Sequence, residues 1–212
     1  MPTFDWLLFD LDGTLSDPAD GFVNSMNHAL IAHNYQPRAA AELTPHIGPP
    51  LEVTIANLTG SEDSGHIHAL VDKYRERYGE TGYAENRLYP GIADTLEHLS
   101  GIDGIRMGVC TSKRADFATR ILKQFDLHHY FEFVSGGDVG VAKWQQLQDL
   151  LERNTISSRA LMIGDRHFDL SAAAKNNLAS AGVLWGYGSR EELDEHQPAY
   201  LFTHPAEILN II

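Results

Sequence analysis

Phe9-Asp10-Leu11-Asp12-Gly13-Thr14-Leu15 follows the apolar run Trp6-Leu7-Leu8-Phe9. Four apolar residues bounded by a turn read as a strand buried on both faces, the pattern of a parallel sheet. Two carboxylates emerge where that strand ends, and Gly13 lets the backbone turn sharply. In an open parallel sheet, ligand sites lie beyond the carboxyl ends of the strands. Asp10 and Asp12 therefore stand where chemistry is done. Adjacent carboxylates repel, and a divalent cation with its preference for oxygen offsets that. A division of labour, one carboxylate attacking and the other moving protons, is a second reason for the pairing. An Asp-Gly turn accounts for the dipeptide without any chemistry, so the rest of the chain decides.

Outward from this stretch the period changes. Asp17 reads as an N-cap with Pro18 at the first helical position. Phe22, Met26, Ala29, Leu30 and His33 then recur at helical spacing over residues 18–34. From there to residue 88 the pattern stays helical or looped, with no strand. Leu51, Ile55 and Leu58 mark one helix; Ile67, Leu70, Val71, Tyr74 and Tyr78 mark another. A strand-helix-strand crossover usually holds one helix, and this stretch is too long for that. Residues 16–88 are expected as an inserted α-helical cap, and residues 1–15 with 89–212 as an α/β core.

From Tyr89-Pro90-Gly91 onward, strand and helix alternate. Strands are expected at 105–110, 131–134, 160–163, 181–185 and 200–202, with a turn at Gly136-Gly137. Helices are expected at 92–99, along Phe117-Ile121-Leu122-Phe125, from Lys143, and over 171–175, 191–195 and 205–209. Repeated units of this kind predict a doubly wound parallel sheet with helices on both faces.

Polar residues cluster at the ends of three of these strands: Asp10 and Asp12, then Thr111 and Ser112, then Asp165 and Asp169. A parallel sheet brings such ends together. Lys143 adds a cation at the start of the helix after a fourth strand. Lys113 and Arg114 read as a solvated helix turn ahead of an anion-attracting one. Arg75, Arg77 and Arg87 could reach a substrate's far end, and nothing in the sequence selects one. Cys110 reads as a buried structural thiol, and His167 as solvent-facing. Trp185-Gly186-Tyr187-Gly188 walls a cleft or packs in the core; both readings stand.

Composition narrows the class. The 212 residues carry a formal net charge of -13, which disfavours nucleic acid and anionic membrane surfaces as partners. A small phosphorylated substrate stays open, because a metal, a lysine and helix N-termini can reverse the field within one cleft. A single cysteine permits no intramolecular disulfide. No stretch approaches the roughly 20 apolar residues of a membrane span. The expectation is a soluble cytoplasmic protein, a monomer or weak homodimer.

Asp10-Leu11-Asp12-Gly13-Thr14, Thr111, Lys143 and Gly164-Asp165-x-x-x-Asp169 resemble the four motifs of the haloacid dehalogenase-like hydrolase superfamily. The overall layout is most similar to its phosphoglycolate phosphatase branch, with a small helical cap. Members often carry a proline after the motif lysine, where this chain has Trp144. The resemblance implies a Rossmann-like core and hydrolysis of a small phosphorylated metabolite through an aspartyl-phosphate. Asp10 would be the nucleophile, and Asp12 the general acid and then base. Thr111, Ser112 and Lys143 would bind phosphate, with the Ser112 N–H at a helix start. Asp10, Asp12 through its carbonyl, Asp165 and Asp169 would serve Mg²⁺, Asp169 through a water or by orienting Lys143. Phosphoglycolate is the first substrate expected, with nucleoside monophosphates and sugar phosphates as alternatives. A phosphosugar mutase and a catalytically idle binding protein are the rival readings.

Overall fold

The computed structural model describes residues 3–137 and 141–212. The chain divides into two compact units, Met1–Asp17 with Leu88–Ile212, and Pro18–Arg87. In the first unit, six strands form one sheet: β1 (Trp6–Phe9), β2 (Arg106–Thr111), β3 (Val134–Gly136), β4 (Ala160–Gly164), β5 (Ala179–Val183) and β6 (Tyr200–Phe202). Their order is β3-β2-β1-β4-β5-β6, and every neighbouring pair is parallel. This is the doubly wound order, in which the chain leaves β1 in one direction and later returns to extend the sheet in the other.

The helices in chain order are α1 (Ala19–Ala32), α2 (Ala40–Leu43), α3 (Leu51–Thr59), α4 (Ser64–Glu80), α5 (Ile92–Ser100), α6 (Ala115–Gln124), α7 (Lys143–Glu152), α8 (His167–Lys175) and α9 (Arg190–Asp194). Crossovers of the usual right hand, run in both directions from β1, would place helices on both faces of such a sheet. The side chains of β1 alternate between the two faces. Trp6 and Leu8 join Cys110, Ala160 and Met162 in a cluster covered by Leu147 and Leu150 of α7 and Ala172 and Ala173 of α8. Leu7 and Phe9 point the other way, and Phe9 meets Phe131 edge-on at 6.0 Å. All four β1 side chains are buried, as a continuous apolar run requires.

The unit Pro18–Arg87 has a core of its own. Phe22, Met26, Ala29 and Leu30 of α1 and Leu70, Val71, Tyr74 and Tyr78 of α4 are buried. The ring of Phe22 packs edge-on to Tyr74 at 6.0 Å, and Tyr74 stacks on Tyr78. No helix among the described residues is long and apolar enough to cross a membrane.

The structure corrects several expectations. β3 runs over Val134–Gly136 rather than 131–134, because Phe131 is spent on the core beside Phe9; Gly136 is therefore in a strand, not a turn. β5 begins two residues early at Ala179, which leaves Leu184 to Gly188 free to loop. α8 starts at His167 rather than Ser171, since Asp169 Oδ2 accepts from the Arg166 N–H at 3.1 Å and caps it. Pro18 rather than Asp17 occupies the N-cap position of α1, and the Asp17 carboxylate accepts from the Tyr187 hydroxyl. Ser16–Asp17 and Arg87–Leu88 form a short two-stranded ribbon where no strand is expected, and Pro205–Ile211 is a 3-10 helix.

Candidate active site

Asp10 is the first residue beyond β1, the strand at which the sheet's direction of growth reverses. Its N–H donates to Ile163 O at 2.9 Å, which carries the ladder one residue past the strand. The Leu11 N–H donates to Asp10 Oδ1 at 2.8 Å. Thr111 ends β2 on one side, and Asp165 follows β4 on the other. Lys143 opens α7 after β3.

These residues meet. Lys143 Nζ lies 3.1 Å from Asp10 Oδ2 and also pairs with Asp169. Asp10, Asp165 and Asp169 are buried, and one carboxylate oxygen from each lies within 4.8 Å of the others. Asp165 Oδ1 accepts from the Thr14 hydroxyl at 3.3 Å, and its Oδ2 from the Tyr187 N–H at 2.8 Å. Two glycines make room for this. Gly13 has φ +84°, and a Cβ there would fall inside 3.0 Å of the Asp165 carboxyl; a Cβ at Gly164 would do the same to Asp169.

Three carboxylates against one ammonium leave the cluster negative. Burial, followed by the charges of Asp169 and Asp10, pushes the Asp165 carboxyl well above the usual carboxylate range. Burial likewise raises Asp169 to about 6, against the opposing pull of Lys143. Burial alone would lower the Lys143 ammonium, but Asp10 and Asp169 outweigh it and hold Lys143 above the ordinary lysine value. Lys143 is therefore charged, and it partly offsets both neighbours. The remaining imbalance, with oxygen donors only, fits a small hard divalent cation.

The other expected residues sit differently. Asp12 lies outside this three-carboxylate cluster. Its Oδ2 is 2.8 Å from Lys113 Nζ, while its Oδ1 is buried with no hydrogen-bond partner among the described residues. Burial raises its carboxyl despite the attraction of Lys113. Lys113 is thus no solvated helix turn: its side chain is 10% exposed. Thr111 is buried, and its Oγ1 accepts from the Lys113 N–H at 3.2 Å. Ser112 is exposed and stands in the loop before α6, so its N–H is not at a helix start. Arg114 pairs with Asp116 at the surface.

Arg75, Arg77 and Arg87 are paired with Glu52, Glu85 and Asp20. His167 bonds Glu192 Oε1 at 2.8 Å, and Arg166 shares that oxygen. Cys110 is buried, its thiol pushed up to about 12 by burial.

Residue-type reasoning misses Gln146, which donates to Thr111 O at 3.3 Å and accepts from Ser135 Oγ at 3.1 Å. Its place one turn after Lys143 on α7 was the only available signal. Trp185 donates its Nε1–H to Thr14 O at 2.9 Å, so the Trp185–Gly188 loop closes over the first turn.

A model of the haloacid dehalogenase-like hydrolase family matches residues 7–183. Over 210 residues, 97% of this chain and 94% of the relative, the sequence is 36% identical to a 5'-nucleotidase from Pseudomonas aeruginosa. It is 34% identical over 191 residues, 85% of this chain and 80% of the relative, to a phosphoglycolate phosphatase from Agrobacterium fabrum. The solved structure of protein tyrosine kinase A from Mycobacterium tuberculosis superposes with a TM-score of 0.83, at 30% identity over 98% of both chains.

Proposed function

As the chain belongs to the haloacid dehalogenase-like hydrolase family, we propose that it is a Mg²⁺-dependent phosphomonoesterase that works through an aspartyl-phosphate on Asp10. The observation that carries this reading is Lys143 set between Asp10 and Asp169, with Asp165 beside them. Asp10 is a buried carboxylate at a strand end, held by one N–H and one ammonium. Its oxygen attacks phosphorus while the ester P–O bond breaks, and Asp12 gives its proton to the leaving alkoxide. Asp12 then takes a proton from the water that releases inorganic phosphate. Lys143 and the Thr111 hydroxyl stabilise charge on the phosphoryl oxygens, and the Ser112 N–H is a third donor. Asp10, Asp165, Asp169 and the Asp12 carbonyl would hold the cation, which when bound supplies positive charge to the phosphoryl group.

The unit Pro18–Arg87 is assigned the cap role. The substrate is a small phosphate monoester. The Agrobacterium relative supports phosphoglycolate, and the Pseudomonas relative supports a nucleoside 5'-monophosphate as a second reading.

The test is phosphate release from phosphoglycolate, nucleoside monophosphates and sugar phosphates, with Mg²⁺ and with excess chelator. Metal-dependent release from one class is expected. Release from none, or phosphorylated isomers in place of free phosphate, contradicts the proposal.

A further inference from the structure

Lys113 belongs to none of the four motifs, yet it touches two of them. Its ammonium lies 2.8 Å from Asp12 Oδ2, with the two side chains only 10% and 19% exposed. Its backbone N–H donates to Thr111 Oγ1 at 3.2 Å. A lysine is seldom withdrawn from water unless it is paired, and the contact with Asp12 is one such pairing. The other Asp12 oxygen, Oδ1, is buried and has no hydrogen-bond partner among the described residues. A buried carboxylate oxygen without a partner is costly, and a group that arrives with the substrate would satisfy it.

We propose that Lys113 is a positioning residue that sets up both ends of the reacting ester. Its ammonium holds Asp12 by Oδ2 and leaves Oδ1 for the leaving-group oxygen. Its N–H occupies the Thr111 oxygen as acceptor, so the Thr111 hydroxyl proton is left to donate to a phosphoryl oxygen. One residue thus aligns the proton donor and the phosphate anchor. The inference rests on the phosphomonoesterase reading and deepens it.

Lys113→Met removes the ammonium and keeps the backbone N–H, so it separates the two contacts. Because acid catalysis matters most for poor leaving groups, the single-turnover rate of alcohol release from an alkyl phosphate, a step that precedes the water attack both esters share, should fall on the order of ten- to a hundredfold. On p-nitrophenyl phosphate it should fall less than about threefold, because that leaving group needs little protonation. KM should hold for both esters, and Lys113→Arg should restore part of the loss. Equal losses on both esters overturn the inference. So does a raised KM with kcat kept, which would make Lys113 a binder of the substrate's own charge. A crystal structure of Lys113→Met supplies a readout apart from turnover. Asp12 is expected to leave its present orientation, and an unmoved Asp12 overturns the inference even if activity is lost. If the unaltered protein releases phosphate from no ester, the phosphomonoesterase reading fails, while the orientation of Asp12 in that crystal still judges the role of Lys113.

Discussion

Gly13 backs directly onto Asp165: a Cβ on Gly13 would fall inside 3.0 Å of all three atoms of the Asp165 carboxyl group. The turn after β1 and the loop after β4 therefore approach more closely than any side chain permits. Gly13 also sits at φ +84°, where a Cβ adds backbone strain. Gly13→Ala should displace Asp165 and lower stability by roughly 1–3 kcal/mol. Urea denaturation measures the loss, and calorimetric Mg²⁺ titration should show weakened binding. Unchanged Mg²⁺ affinity would mean that Asp165 is not a ligand.

Asp10→Asn keeps the side chain's volume and removes its charge. On the proposed mechanism turnover should fall at least about a thousandfold, as removal of a covalent nucleophile does. Fold and melting temperature should persist, since Lys143 retains Asp169. Phosphate release with circular dichroism checks both. Substantial residual turnover would sink the covalent route.

Lys143→Met should destabilise the metal-free protein. It strands Asp10, Asp165 and Asp169 without their ammonium, and breaking a buried pair from one side costs about 3–5 kcal/mol. Saturating Mg²⁺ should return part of that loss, because a cation at the cluster replaces the missing charge. Chemical denaturation with and without Mg²⁺ measures it. A loss that Mg²⁺ leaves untouched would argue for a purely packing role.

The carboxylates set the sign of a pH effect. Asp165 and Asp169 are raised in the folded protein, Asp169 to about 6 from 3.8. At these two sites the native state then binds more protons than the unfolded chain between those values, so their contribution to metal-free stability is largest at acidic pH and falls as pH rises. On the proposed assignment Mg²⁺ would bind the ionised carboxylates. The gap in melting temperature between Mg²⁺-loaded and chelated protein should therefore widen from pH 4.5 to 7. A constant or narrowing gap contradicts the assignment.

Cys110 is buried, and its thiol is raised to about 12, so almost no thiolate exists at pH 8. Iodoacetamide should label it only in denaturant. Rapid labelling of the native protein would show an opening of the β2 end that the structure does not contain.

Much of the site is legible in residue order. Asp10, Thr111 and Asp165 can be read because each stands at or just past an apolar strand, and strands in a parallel sheet share one end. The helical period of α1 and α4 is likewise visible in their buried residues. Element ends are less legible. Phe131 has the apolar character of a strand residue but packs on Phe9, and β3 forms three residues later. Asp17-Pro18 has the chemistry of a cap, and nothing in it announces that Tyr187, 170 residues away, donates to the same carboxylate.

The sequence by itself determined the alternation of strand and helix and the carboxylates at the strand ends, because hydrophobic period and turn chemistry act between near neighbours along the chain. Only the tertiary structure decided which charges meet. Lys113 is read as solvated until β1 and β2 lie side by side and bring Asp12 to it. Tyr187 becomes a partner of Asp165 only because β5 ends early enough for its loop to return. Contacts of this kind depend on register and on the space that Gly13 and Gly164 leave, and a linear string does not contain those distances.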